Sequence, residues 1–349
     1  MRITKSVERL VAYTPGEQPK ARDVVKLNTN ENPYPPSPRC AEALASFDPD
    51  RLRRYPDPNF TELRAAIAKL NGTTPARVFV GNGSDEILAL AAKAFVENDE
   101  AIGSLDPSYS LYRTLADIRD VRWTGTALAT AAAGGFEVPP DVALFLWTNP
   151  NAPTGTFVPA KRIAAFAKKF RGVVLVDEAY ADFASANCME LATAPRNRNL
   201  IVMRTFSKSY SLAGLRVGYC VGPEDLVEAL YKIKDSYNVD AVAQAVALAA
   251  VTDRAYFKST VAKVVKSRKA FVKELVKRGW DVLPSESNFV FARPAHVAAA
   301  DLFDALRRRN IFVRYFRGPK TGDRLRVTIG TDAQMKTLLK AIDELDLEK

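Results

Sequence analysis

Lys208 lies between two serines in RTFSKSYSLAGLRVGY (204–219), directly after the apolar run Leu200, Ile201, Val202, Met203. A lysine partly buried near other cations holds its proton less tightly, and the neutral amine it becomes is a nucleophile or base. Ser207 and Arg216 beside it offer a hydroxyl and a forked guanidinium, a pair suited to a phosphate dianion. Upstream, VVLVDEAY (173–180) closes an apolar run on Asp177 and Glu178, followed by Tyr180. A carboxylate in such a place is costly unless it is paired. In GNGSD (81–85), Ser84 and Asp85 stand where a strand gives way to a helix. Glycines there let backbone N–H groups approach an anion closely, usually a phosphate. Tyr109 follows AIGSLDPS, and the polar turn NPNAPTG (149–155) follows VALFLWT. Taken singly, each feature also fits a helix cap, an ion pair, a core ring or a plain turn.

What joins them is position, since each follows an apolar run that reads as a strand. RVFV (77–80), AIGSL (101–105), VALFLWT (142–148), VVLV (173–176) and LIVM (200–203) alternate with helical or loop segments. Several are apolar throughout, as strands buried on both faces are. The alternation predicts an α/β fold with a mainly parallel sheet and helices on both sides. In such sheets ligands bind at the carboxyl ends of the strands. After about residue 225 the pattern changes to charged amphipathic helices and the runs NFVFAR (288–293), IFVRYF (311–316) and LRVTIG (325–330), which predict a smaller α+β domain. The opening 58 residues are proline-rich and irregular and predict an arm laid over the rest. AVAQAVALAAV (241–251) is too short to cross a membrane and predicts a buried helix or a helix interface.

Composition narrows the chemistry. The chain has one histidine, His296, so a multi-histidine metal site is out of reach, and a Ser-His-Asp triad would rest on a histidine with no motif around it. Acid–base work falls to Lys, Asp, Glu, Tyr or a cofactor. Cys40, Cys188 and Cys220 are far apart with no C-x-x-C pair, which predicts neither a disulfide framework nor a zinc site and fits a reducing compartment. The first residues carry no apolar signal segment, and no long apolar run occurs, so a cytoplasmic protein is expected. Fifty Lys and Arg against 40 Asp and Glu give a formal charge of +10. The basic residues are scattered through helical segments such as KSRKAFVKELVKR (266–278) and carry no nucleic-acid reader motif. They read as a solvated face with a mild attraction for anionic substrates.

Together the strand-end residues make a phosphate cup, an aromatic ring, a buried carboxylate, an Asn and Tyr pair, and a lysine. That set suits a flat, phosphorylated, cationic heterocycle bound covalently through an aldehyde, and pyridoxal 5′-phosphate matches it.

The motifs AYTPG (12–16), LNTNENPYPP (27–36), RRYPDP (53–58), GNGSDEIL (81–88), NPNAPTG (149–155), VDEAYADF (176–183), RTFSKSYSLAGLRVGY (204–219), SNFVF (287–291) and LRVTIGT (325–331) run over nearly the whole chain. In them the sequence resembles the fold-type I aminotransferases, most closely the histidinol-phosphate aminotransferase family. The resemblance implies a mainly parallel seven-stranded sheet with a smaller α+β domain. It implies an arm at 1–40 against the small domain and a dimer partner, a large cofactor-binding domain at 41–230 and a small domain at 231–349. It further implies Lys208 as covalent anchor and proton carrier, Asp177 on the pyridinium nitrogen, Tyr180 on the cofactor O3′, and Tyr109 stacked on the ring. Ser84, Asp85, Ser207 and Arg216 would hold the phosphate, and Tyr55 would reach it from the second subunit of a homodimer. Arg314, Arg326, Tyr13 and Asn32 would bind the anionic amino donor and keto acceptor. Where that superfamily usually has asparagine before Pro-Thr-Gly this chain has Ala152, and Asn151 is the expected stand-in at O3′. An aromatic amino acid aminotransferase and a decarboxylase of a phosphorylated amino acid share the cofactor motifs and remain open. A nicotinamide oxidoreductase requires a third glycine that GNGSDE (81–86) lacks, and a DNA-binding regulator requires a longer N-terminal segment.

Overall fold

The continuous apolar runs become strands because both of their faces are covered. In the computed structural model, which describes residues 3–10, 16–19 and 23–347, they are β1 (Val78–Gly81), β2 (Ala101–Asp106), β3 (Arg122–Ala127), β4 (Val142–Thr148), β5 (Val173–Asp177), β6 (Leu200–Thr205) and β7 (Gly218–Val221). They form one seven-stranded sheet in the order β1-β7-β6-β5-β4-β2-β3. Only β7 runs antiparallel to its neighbours, so the others end on the same edge. Successive side chains of a strand point to opposite faces. Accordingly Phe145, Trp147, Val174, Val176 and Val202 join one apolar cluster, and Leu144, Leu146, Leu175, Ile201 and Met203 join another.

Helices α1 (Gly83–Ala94) and α2 (Leu111–Arg119) fill the second cluster with Ile87, Leu88, Tyr112 and Leu115. On the opposite face lie the helix Thr61–Leu70 and α3 (Ala241–Thr252). The alanines of α3 allow close approach, and Ala243, Ala247 and Ala250 are buried there.

The core of the large sheet extends past residue 231, where the resemblance places the start of the small domain. All of α3, and Phe257 beyond it, belong to the cluster of the large sheet. The charged amphipathic helix Glu224–Ile233 also packs on the large sheet through Val227 and Leu230, and the next core begins with α4 (Arg254–Lys277), whose Val264, Phe271 and Leu275 enter a third cluster. That cluster supports a four-stranded antiparallel sheet, ordered Arg314–Tyr315, β9 (Leu325–Thr328), β8 (Phe289–Arg293), Asp281–Val282. The proline-rich opening stitches the units together. Val25–Lys26 pairs in parallel with Ile311–Phe312, Leu27 enters the small cluster, and Cys40 enters the large one. Among the described residues no helix is long and apolar enough to cross a membrane, and no group of His, Cys, Asp and Glu could hold a metal ion.

Candidate active site

A cleft of about 700 Å³ opens where the parallel strands end and the small sheet faces them. One end of it is an anion cup. α1 begins at Gly83, with a positive φ of 78°, and presents Ser84 and Asp85 in its first turn. A Cβ on Gly83 would lie 2.6 Å from Arg216 Nη2, and one on Gly218 would lie 2.7 Å from the Ser84 nitrogen. Glycine is therefore required at both places for the helix start, β7 and the guanidinium to meet. Arg216 donates to Ser207 Oγ at 3.5 Å and to Asp85 Oδ2 at 3.3 Å. The free N–H groups and partial positive charge of a helix start favour an anion there.

At the other end β5 delivers Asp177, 4% exposed. Burial pushes its carboxyl up to about 6, against the pull of the Tyr112 hydroxyl and the Ala179 N–H. Tyr112 donates to Oδ2 at 2.7 Å and lies 2.6 Å from Thr148 Oγ1; the Ala179 N–H donates to Oδ1 at 3.0 Å. Among the described residues no basic side chain forms an ion pair with Asp177. The next residue, Glu178, pairs with Arg204 at 2.7 Å, and Arg204 also holds Asp182 at 2.6 Å. Ser209 donates to the other Asp182 oxygen at 2.5 Å. This buried ionic group grips the residues that follow Asp177 and Lys208 and fixes both loops.

Between the two ends lies Lys208, whose Nζ donates to the Thr29 carbonyl at 3.1 Å and sits 5.9 Å from the Tyr180 ring centre. Desolvation lowers its pKa to about 8; Arg326 and Arg216 push the same way, against Glu31 and Asp85. Tyr180 accepts from Asn30 Nδ2 at 3.0 Å and meets Phe289 edge-on at 5.0 Å. Tyr109 stands edge-on to Tyr112 at 5.7 Å and donates to Asp85 Oδ1 at 3.3 Å. From the small sheet come Arg314 and Arg326, directly opposite each other across two strands. Arg326 donates to the Asn28 carbonyl at 3.0 Å and lies over the rings of Phe289 and Phe316.

Ten expected residues thus line one cleft: Ser84, Asp85, Tyr109, Asp177, Tyr180, Ser207, Lys208, Arg216, Arg314 and Arg326. Four do not. Asn151, the expected stand-in beside Ala152, is fully buried behind the wall. Its amide donates to the Pro107 carbonyl and to Thr154 Oγ1 and accepts from Ser108 Oγ, so it holds the turn together, while Ala152 is the residue that faces the cleft. Asn32 donates to the carbonyls of Lys208 and Ser209 and so supports the lysine loop from outside the cleft. Tyr55 lies away from the cleft of its own chain, 80% exposed and stacked on Tyr237 at 4.3 Å. Tyr13 falls outside the described residues.

Sequence reasoning missed Tyr112, Thr148, Asn30 and Arg317. Tyr112 follows Tyr109 at i+3 on a helix and carries only a core signal. Asn30 is hidden in a stretch read as a proline-rich arm.

The cup, the unpaired carboxylate and the amine between them fit a flat phosphorylated ring with a cationic nitrogen and an aldehyde.

Residues 22–342 match the protein family described as aminotransferase class I and II. The chain is 45% identical over 347 residues to histidinol-phosphate aminotransferase 1 of Bradyrhizobium diazoefficiens, covering 97% of each protein. It is 42% identical over 346 residues to histidinol-phosphate aminotransferase 1 of Trichormus variabilis, again with 97% of each covered. The structure superposes on histidinol-phosphate aminotransferase from Sinorhizobium meliloti in complex with pyridoxal-5′-phosphate, with a TM-score of 0.87, 27% identity and coverage of 99% and 98%. The fold, without closer likeness, is shared with L-threonine-O-3-phosphate decarboxylase from Porphyromonas gingivalis, at a TM-score of 0.83 and 23% identity.

Proposed function

Because the chain belongs to the class I and II aminotransferase family, we propose that it is a pyridoxal 5′-phosphate-dependent aminotransferase of histidine biosynthesis, exchanging an amino group between L-histidinol phosphate and 2-oxoglutarate. The observation that carries the chemistry is the single cleft that holds the anion cup, Lys208 and Asp177. The choice of substrate rests on the full-length likeness to proteins of that name.

Pyridoxal 5′-phosphate, when bound, supplies an aldehyde that condenses with amines and a cationic ring that takes up the electron pair released when a Cα proton leaves. The N–H groups at the start of α1, with Ser207 and Arg216, hold its phosphate; Ser84 and Asp85 contribute chiefly through the backbone. Asp177 offers a carboxylate to the ring nitrogen and keeps that nitrogen charged. Tyr180 donates to the ring oxygen, and Tyr109 covers a ring face. Lys208, with a pKa near 8, is the covalent anchor while bound and the proton carrier at Cα once released. Arg314 and Arg326 form one anion site, and a guanidinium forks equally onto the carboxylate of glutamate or the phosphate of histidinol phosphate.

A cytoplasmic homodimer completes the reading. The dimer is supported by Tyr55, whose ring is 80% exposed and is not among the residues lining its own cleft; the resemblance assigns it to the phosphate of a second subunit. Tyr13 and Asn32 are assigned to the substrate side by resemblance alone; for Asn32 the bonds to the lysine loop favour a supporting part.

The test is to add histidinol phosphate, glutamate, phenylalanine and tyrosine separately to purified holoenzyme and follow the cofactor absorbance. Fast half-reactions with histidinol phosphate and glutamate are expected, with slower ones for the aromatic amino acids. Preference for phenylalanine or tyrosine would replace the substrate assignment, and carbon dioxide release from a phosphorylated amino acid would replace the reaction.

The cup yields a second prediction. Gly83→Ala drives a methyl group into the Arg216 guanidinium and imposes an unfavourable left-handed backbone. It is expected to weaken cofactor affinity by about tenfold or more, the equivalent of about 1.4 kcal/mol. Titration of the cofactor-free protein with pyridoxal 5′-phosphate and with pyridoxal measures this, and the loss should be confined to the phosphorylated form.

A further inference from the structure

Asn30 lies in the arm, 1% exposed, with a left-handed φ of 55°. Its backbone N–H donates to Thr328 Oγ1 at 3.0 Å, and the Thr328 hydroxyl donates back to Asn30 Oδ1 at 3.0 Å. Its carbonyl accepts from Asn288 Nδ2 at 3.0 Å. The threonine proton requires an acceptor, so this exchange fixes which end of the amide is oxygen. The NH₂ end is thereby turned to Tyr180, whose hydroxyl oxygen accepts from Nδ2 at 3.0 Å. Ala152 shares an apolar cluster with Tyr180 and lines the same cleft, and its side chain carries no donor.

We propose that Asn30 is a positioning residue for Tyr180: by donating to the phenol oxygen it turns the tyrosine proton into the cleft and strengthens it as a donor to the ring oxygen of the cofactor. This rests on the cofactor reading given above. A hydroxyl that accepts one hydrogen bond donates a stronger one, because bonded groups polarise one another in a low-dielectric site. With alanine at 152, the Tyr180 phenol has no asparagine donor beside it at that position. The bond also ties the site to the small sheet, since Thr328 stands two residues from Arg326 on β9.

The measurement is a pH titration of the visible absorbance of the holoenzyme. A donor to the ring oxygen favours the deprotonated chromophore, so weakening it moves the midpoint to higher pH. Tyr180→Phe sets the full size of the shift. Asn30→Gly keeps the positive φ and removes only the amide, and is expected to raise the midpoint by about half a pH unit, a threefold change in proton affinity. Asn30→Asp keeps the shape but can only accept from Tyr180, so the midpoint should rise as far as in Tyr180→Phe. In the Tyr180→Phe background both substitutions should have no further effect.

Thr328→Val, which leaves residue 30 intact but frees its amide to turn, is expected to behave like Asn30→Gly and stands in if that variant folds poorly. The proposal is overturned if Asn30→Asp titrates like wild type, or if the shifts persist undiminished without the Tyr180 hydroxyl. Wild-type protein with no Lys208-dependent absorbance would overturn the cofactor reading itself, and the inference with it.

Discussion

Lys208→Ala is expected to abolish the visible absorbance of the purified protein and to lower kcat by about ten-thousandfold or more, roughly 5 kcal/mol of transition-state stabilisation. Two jobs fall on this one amine, and among the described residues lining the cleft Lys208 is the only lysine. Arginine in its place stays protonated and neither attacks a carbonyl nor carries a proton, so Lys208→Arg should be as inactive as alanine. The pKa adds a signature that loss of folding would not mimic. The amine has to be neutral to act, and its pKa is lowered to about 8 by desolvation and by Arg326. The rate at which cofactor-free protein takes up pyridoxal 5′-phosphate should therefore climb about tenfold per pH unit below 8 and level off above it.

The stability effect has the opposite sign. The fold binds this proton less tightly than the unfolded chain does, so Lys208 destabilises the cofactor-free protein at neutral pH, and that cost fades as the pH rises from about 8 towards 10.5. Lys208→Ala should consequently give a cofactor-free protein at least as stable as wild type at pH 7. A variant that retains substantial activity, or one that loses activity only by unfolding, would sink the assignment.

How much of this was legible in the sequence follows from what kind of signal each residue carries. The sheet was legible because runs such as VALFLW (142–147) and VVLV (173–176) are apolar at every position, as strands covered on both faces are. That Lys208, Asp177 and Ser84 would meet in one cleft was legible because strand ends in an open sheet share one edge. The assignment of residues 239–257 to the core of the large sheet was not legible, for a related reason. Charged amphipathic helices begin at Glu224–Ile233, straight after the last large strand, yet that helix and the uncharged α3 both pack on the large sheet, so the change of pattern precedes the change of core.

Asn151 was misread because adjacent residues of a turn differ by direction and not by type. Its amide is consumed by Pro107, Thr154 and Ser108, and composition cannot say which of two neighbours faces inward. Tyr112 and Asn30 act on Asp177 and Tyr180 across sequence separations of 65 and 150 residues. Such a bond leaves no periodicity behind, and the motif LNTNENPYPP (27–36) that holds Asn30 does not say what its amide touches. It exists only once the helix and the arm have been placed, and so the second partners of a site are where a sequence is least readable.

Asp177→Asn is expected to separate activity from stability. Activity should fall about a hundred- to a thousandfold, because an amide cannot keep the ring nitrogen charged and the electrostatic stabilisation of the developing carbanion is lost. The cofactor-free protein should instead become more stable. Burial raises the Asp177 carboxyl from 3.8 to about 6, so the fold prefers it protonated. The resulting cost is absent below about pH 4, grows between 4 and 6, and is complete above 6, where it amounts to about 3 kcal/mol. An asparagine is neutral throughout, and its oxygen can still accept from Tyr112 or the Ala179 N–H.

Urea unfolding of the cofactor-free proteins checks the sign. The variant should gain up to those 3 kcal/mol at pH 8, about half as much at pH 5, and only about 0.5 kcal/mol at pH 4. In the wild type, cofactor binding supplies a cation to a carboxylate that has none among the described residues, and so recovers what burial cost. In the variant there is no such cost to recover, and the stabilisation brought by the cofactor should shrink accordingly. An equal stability gain at pH 4 and pH 8 would mean that packing, not charge, is responsible, and unchanged kcat would remove Asp177 from the ring nitrogen.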